Sequence, residues 1–204
     1  GLKIVVHTGL ADKETAAGLK AAGVHRVLMD IIGDEETIRK VYHLDRTPSD
    51  YLRSMMDCRE AGLSIAPHIV LGLNFGKSDG VKEALEMIRQ AGPDILVFVV
   101  LTPRRGTEMA AVELPAPETL AEILADARVD FPAIPITLGC AKPAGPYRRD
   151  LEKYAVSCGV NAIAYPDEKT VAHARSLGLE AVFAEECCSL LPEAYINHIE
   201  NAVL

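Results

Sequence analysis

The chain has 204 residues, of which 49% are hydrophobic, 25% charged and 5% aromatic, with a formal net charge of −8. That length and apolar content suit one domain with its own core and exclude a disordered chain. The acidic balance argues against duplex nucleic-acid binding, and the longest apolar run, Ile95 to Leu101, is too short to span a bilayer.

The chain opens on Leu2-Lys-Ile-Val-Val-His-Thr8, which reads as a buried strand over 3–8. Chains seldom begin inside a core strand, so an N-terminally truncated fragment of a longer protein is expected. A helix over 11–22 runs to Gly23, and a strand over 26–32 follows, carrying Asp30 near its end. Helices over 34–41 and 48–61 lead to Gly62 and a strand over 64–71. The helix over 79–90 stops at Gly92 before the strand over 95–101. The pattern continues with a helix over 117–129, a strand over 134–138 and a helix over 149–157. A strand over 161–165, a helix over 167–176, a strand over 180–183 and a helix over 191–202 complete it. Asp12, Asp34, Ser49, Ser78 and Asp167 are the expected helix-starting residues.

The recurring phrase is a helix, a Gly and then a continuously apolar run. Gly takes the left-handed conformation that ends a helix, and the apolar run is a strand covered on both faces. Alternation of this length implies parallel βαβ units. Two architectures fit, a (β/α) barrel or part of one and an open doubly wound sheet. The Gly-x-Gly-x-x-Gly fingerprint of a dinucleotide fold does not follow the first strand, and there is no P-loop. The preferred reading is a partial, TIM-like barrel of about six βα units, forming one domain over 1–204. Its site would then gather at the C-terminal ends of the strands. The residues there are His7 and Thr8, Asp30, His68, Asn74, Thr102, Cys140 with Lys142, Tyr165 and Glu185.

Several segments resemble a known family. They are Tyr42-His-Leu-Asp-Arg-Thr-Pro-Ser-Asp-Tyr-Leu52, then Ala61-Gly-Leu-Ser-Ile-Ala-Pro-His-Ile-Val-Leu-Gly-Leu73, and Thr102-Pro-Arg-Arg-Gly-Thr-Glu-Met109. With the opening strand, Ile136-Thr-Leu-Gly139 and Asn161-Ala-Ile-Ala-Tyr165, they resemble the biotin synthase-like branch of the radical S-adenosylmethionine (SAM) enzymes. The resemblance implies a barrel enzyme that cleaves SAM at a [4Fe–4S] cluster. It would abstract a hydrogen atom from a small-molecule substrate, with sulfur insertion or rearrangement as outcomes. It further implies Asp30, Arg46, Gly72, Thr102, Gly106 and Thr107 as SAM-binding positions; the Arg that grips the SAM carboxylate in several relatives matches Tyr51 here, leaving Arg46 or Arg53 as substitutes. The C-x3-C-x2-C loop of that family is not among Cys58, Cys140, Cys158, Cys187 and Cys188, so the cluster ligands are expected upstream of residue 1. The family's second-cluster positions match Val5, Ala66 and Thr137, none of which supplies a thiolate.

His7, Thr8, His68, Cys140 and Lys142 are the substrate-side candidates. His68, inside an apolar strand, reads equally as a hydrogen-bonded core histidine. Cys140 is the one candidate ligand for an auxiliary metal; otherwise no metal site is expected in this chain. Cys58 and Cys158 read as core, and the vicinal Cys187–Cys188 pair as structural. Lys142 to Arg149 reads as a basic loop suited to a small anion. The alternatives are a different TIM-barrel enzyme and a non-catalytic partial barrel binding a small anionic ligand or a partner subunit. Neither nucleic acid nor membrane is an expected partner, an open edge at 3–8 would suit a homodimer or partner subunit, and the expected compartment is the cytoplasm.

Overall fold

The computed structural model describes residues 2–191. Alternate side chains along each strand divide between two faces, and this division sets the architecture. The strands are β1 (Val5–His7), β2 (Arg26–Asp30), β3 (Ser64–Leu71), β4 (Leu96–Val100), β5 (Ile136–Leu138) and β6 (Ala162–Ile163). They form one parallel six-stranded sheet in the order β1-β2-β3-β4-β5-β6. Strand order that follows chain order means every crossover steps in the same direction. Right-handed crossovers then put every connecting helix on one side. A doubly wound sheet would reverse direction at a switch point, and this one does not. The fold is a partial (β/α) barrel, as expected.

The helices are α1 (Lys13–Ala21), α2 (Glu35–Lys40), α3 (Pro48–Glu60), α4 (Val81–Ala91), α5 (Pro117–Asp130), α6 (Pro146–Ser157) and α7 (Glu168–Ser176). Val27, Met29, Ile65, Ile69, Leu96, Phe98, Ile136 and Leu138 point outward and form the main core with these helices. Leu28, Ala66 and Ile95 point the other way, into a smaller inner layer shared with Leu191 and bordered by Val5 and Ala162. Burial on both faces is why the strands read as unbroken apolar runs.

Local chemistry fixes the helix starts. Asp12 accepts from the Thr15 N–H at 2.8 Å, Asp34 from the Thr37 N–H at 2.7 Å and Asp167 from the Lys169 N–H at 3.0 Å. Ser49 and Ser78 are corrected. Thr47 precedes Pro48 at the start of α3 and shares a capping box with Asp50, while Gly80 precedes α4. The expected strand over 180–183 does not form. Val182 and Phe183 are exposed, and the run has no neighbouring strand to satisfy its backbone. The expected helix over 191–202 lies outside the described residues, apart from its first position.

Candidate active site

The strand ends bring together four side chains from four segments. His7 ends β1 and Asp30 ends β2, while His68 lies on β3 in direct register with Asp30. Tyr42, in the turn after α2, completes the group. Its hydroxyl donates to Asp30 Oδ2 at 2.9 Å, and His7 Nε2 lies 3.4 Å from Asp30 Oδ1. The two imidazoles are tilted by 54° with centroids 5.1 Å apart. His68 is buried, and its Nδ1 bonds the Ala66 carbonyl at 2.9 Å. A carbonyl can only accept, so Nδ1 carries the proton and Nε2 presents its lone pair.

The environments drive the two histidines apart. The interaction with Asp30 raises the His7 pKa above the usual histidine value, against a smaller burial effect. Burial lowers that of His68, outweighing its bond to Ala66. For Asp30 burial alone would raise the pKa. The contacts with His7 and Tyr42 together outweigh it, and the carboxyl ends below its usual range. Burial, then the nearby Asp30 charge, raises Tyr42, which stays a neutral donor. Near neutrality the site therefore holds a carboxylate, a histidine inclined to be charged and a histidine inclined to be neutral. Such divergence suits one group that gives and one that takes a proton.

The remaining candidates fall into three sets. Gly72 ends β3 in the left-handed conformation, and Pro115 Cδ would lie 3.2 Å from any Cβ there. Gly76, also left-handed, is crossed by the Glu113 carbonyl at 2.1 Å from where a Cβ would sit. Glycine at both positions lets the 102–116 loop lie directly on the turn after β3. Tyr147 holds that loop from the other side, donating to the Pro115 carbonyl at 2.8 Å. Thr102, Gly106 and Thr107 sit exposed on the same loop, the Thr107 hydroxyl donating to the Arg104 carbonyl at 2.8 Å. Asp30, Gly72 and Thr102 thus share the rim formed by β2, β3 and β4. Arg46 is exposed ahead of α3, where its charge acts on Asp50; no contact joins it to Asp30. Thr8 is half-buried, its hydroxyl turned to the Gly9 carbonyl.

Lys142 is not displayed on a loop as the expected anion-binding basic stretch would have it. Its side chain is 3% exposed, and its ammonium donates to the Gly139 and Ala164 carbonyls. It also lies 3.6 Å from Glu152, whose side chain is wholly buried. The site thus uses Lys142 to tie the ends of β5 and β6. Cys140, by contrast, is exposed at the end of β5. Tyr42 was not among the sequence candidates, although it begins the segment that carried the family resemblance.

No protein-family model matches the chain. The biotin synthase of Coxiella burnetii (strain RSA 493 / Nine Mile phase I) is 25% identical over 169 residues, 82% of this chain and 52% of that protein. The biotin synthase of Neorickettsia sennetsu is 28% identical over 177 residues, 86% of this chain and 53% of its own. The chain is similar to biotin synthases. It spans about half the length of these relatives. Among solved structures, methylornithine synthase (PylB) superposes with a TM-score of 0.64 at 15% identity, covering 90% of this chain and 60% of that one. At that identity the likeness concerns the fold alone.

Against a biotin synthase-like plan, three inner positions are decisive. Val5 and Ala66 belong to the inner apolar layer, and the Thr137 hydroxyl donates to the Cys188 carbonyl at 3.0 Å. With two positions packed and the third bonded to the chain itself, these residues do not fit a second cluster. Among the described residues no group of three or more His, Cys, Asp or Glu side chains could hold a metal ion. No helix among them is long and apolar enough to cross a membrane.

Proposed function

We propose that this chain forms most of the barrel of a radical SAM enzyme of the biotin synthase-like type, acting in the cytoplasm on a small molecule. One observation carries the reading: the similarity to biotin synthases extends over 82% of the chain. The sheet it covers gathers Asp30, His7 and His68 at its strand ends. The five cysteines here do not have the spacing of a three-thiolate [4Fe–4S] loop, so in this proposal the cluster ligands lie upstream. An additional copy or partner subunit would meet the barrel at the open edge of β1.

The rim residues suit a nucleoside. Asp30 holds His7 and Tyr42 yet keeps further lone pairs for ribose hydroxyls. The 102–107 backbone and Gly72 would frame the base, and exposed Arg46 is available for the carboxylate. When bound, SAM with its cluster supplies hydrogen-atom abstraction. The chain's own residues orient and protect: Asp30 is fixed by two donors, the inner layer of Leu28, Ala66 and Ile95 excludes water below the rim, and His68 Nε2 stands ready to accept a proton. Sulfur insertion drawing on a second cluster at Val5, Ala66 and Thr137 is not part of the proposal.

The test uses the parent protein with its upstream segment, reconstituted anaerobically with iron and sulfide and given SAM and dithionite. The expected product is 5′-deoxyadenosine, with Asp30→Asn weakening SAM binding. A protein with its full cluster content that releases no 5′-deoxyadenosine would refute the proposal.

A further inference from the structure

After α7 the chain returns across the inner face of the sheet. The Cys188 carbonyl accepts from Thr137, the Ser189 carbonyl accepts from Arg26 Nη1, and Leu191 packs with Leu28, Ala66 and Ile95. Arg26 opens β2, so its side chain shares the inner face with Leu28 and Asp30 but lies about 13 Å along the strand from Asp30. It is 7% exposed, and among the described residues it forms no ion pair. The carboxylate whose charge reaches it, Asp94, is engaged instead by Arg59 and by the Ile65 N–H, both at 2.8 Å. Burial outweighs that charge and pulls the Arg26 pKa below the usual arginine value.

The donors around this buried cation are only partly used. Arg26 Nε donates to Ser64 Oγ at 2.8 Å and Nη1 donates to the Ser189 carbonyl, while Nη2 has no acceptor among the described residues. Ser64 Oγ spends a lone pair on Nε, so its own hydrogen points elsewhere, and no acceptor among the described residues takes it. The Ser189 hydroxyl is sealed from solvent and has no partner there either. Buried charges are ordinarily paired and buried hydroxyls bonded. Here the unspent donors belong to three residues already tied to one another by hydrogen bonds, and one of the three carries an uncompensated positive charge.

We propose that Arg26, Ser64 and Ser189 form a binding site for a small oxyanion, a carboxylate or a phosphate, whose oxygens accept from Nη2 and from the two serine hydroxyls. Such an ion offers several acceptor oxygens in one compact group and supplies the charge that the guanidinium lacks. Because Ser189 lies on the returning segment, the bound anion also fastens that segment to β2 and β3. The layer of Leu28, Ala66, Ile95 and Leu191 lies between this site and the His7–Asp30–His68 group. The site does not depend on the radical SAM reading.

The test titrates the full chain with formate in one arm and inorganic phosphate in the other, exchanging each against chloride at constant ionic strength. Side-chain NMR of the unmutated protein should show the Arg26 Nε–H resonance shifting to saturation in at least one arm, and the arm that saturates at lower concentration identifies the class of oxyanion. Hydrogen exchange at residues 188–191 should slow along the same binding curve. Ser189→Ala keeps the carbonyl that Arg26 uses and should weaken binding at least roughly tenfold, the worth of one hydrogen bond to a charged group. Ser64→Ala should act in the same direction, and Arg26→Gln should abolish saturation. Arg39→Gln, which removes an exposed charge on α2, should leave the affinity unchanged. The serine variants and the unmutated resonance keep the test decisive where Arg26→Gln does not fold. An Arg26 resonance that saturates in neither arm, or full affinity in folded Ser189→Ala, would overturn the proposal. Production of 5′-deoxyadenosine by the parent is read separately, so the two ideas fail independently.

Discussion

Lys142→Met tests the idea that a buried charge network, rather than an anion-binding loop, follows β5. Glu152 Oε2 accepts from the Asp167 N–H at 2.8 Å and the Thr170 hydroxyl at 2.7 Å. Its Oε1 faces Lys142 at 3.6 Å and Arg148 at 3.7 Å, near enough to attract but without a hydrogen bond. Removing one partner of a buried ion pair costs about 3–5 kcal/mol, because the other charge stays behind. Here Arg148 remains beside Glu152, which lowers the loss. The Gly139 and Ala164 carbonyls lose their donor, which raises it, at about 1–3 kcal/mol for each group left buried without one. The balance is a loss of about 3 kcal/mol, which at this chain length lowers Tm by roughly 6–12 °C. Urea unfolding at pH 7 measures it. The cycle with Glu152→Gln, which keeps an acceptor for Asp167 and Thr170, should show a coupling of about 1–3 kcal/mol. A loss below about 0.5 kcal/mol in Lys142→Met, the range of an ordinary surface change, would refute the reasoning.

Two further predictions concern the rim and the returning segment. Imidazole NMR should show His7 titrating above the usual histidine value and His68 below it, with Asp30→Asn moving His7 down; an unmoved His7 would remove Asp30 as its partner. The sign for stability follows: the raised His7 contributes fully below the unfolded histidine pKa and loses that contribution as pH rises through its folded value. The depressed His68 and Asp30 act oppositely, their contributions present above the unfolded pKa of each and lost as pH falls. Arg26→Ala should release the returning segment at a cost of about 1.5–3 kcal/mol, one charge-assisted bond. Hydrogen exchange at residues 188–191 should then speed up, and unchanged protection would contradict the anchoring role.

What the sequence showed and what it hid divide along a physical line. Strands covered on both faces, and Gly at helix ends, are local signals, and they located six strands, seven helices and the convergence of His7, Asp30 and His68. Lys142 was misread because charge density in a Pro- and Gly-containing loop looks solvated. Its burial depends on Glu152, ten residues on, and on the Ala164 carbonyl at the end of another strand. Tyr42 reaches Asp30 only because α2 turns the chain back over the rim. The returning segment is the extreme case, since the bond from Arg26 to Ser189 joins residues 163 apart. No periodicity near Cys188 could announce that its carbonyl would accept from Thr137. Parallel sheets of this order hold their strands by local rules, but what fills the inner face is decided by whichever distant piece of chain arrives there. In this protein that piece brings Ser189 to Arg26 and Leu191 to Leu28, Ala66 and Ile95, which is why the inner face, and not the helix-covered one, is where sequence reasoning most needed the structure.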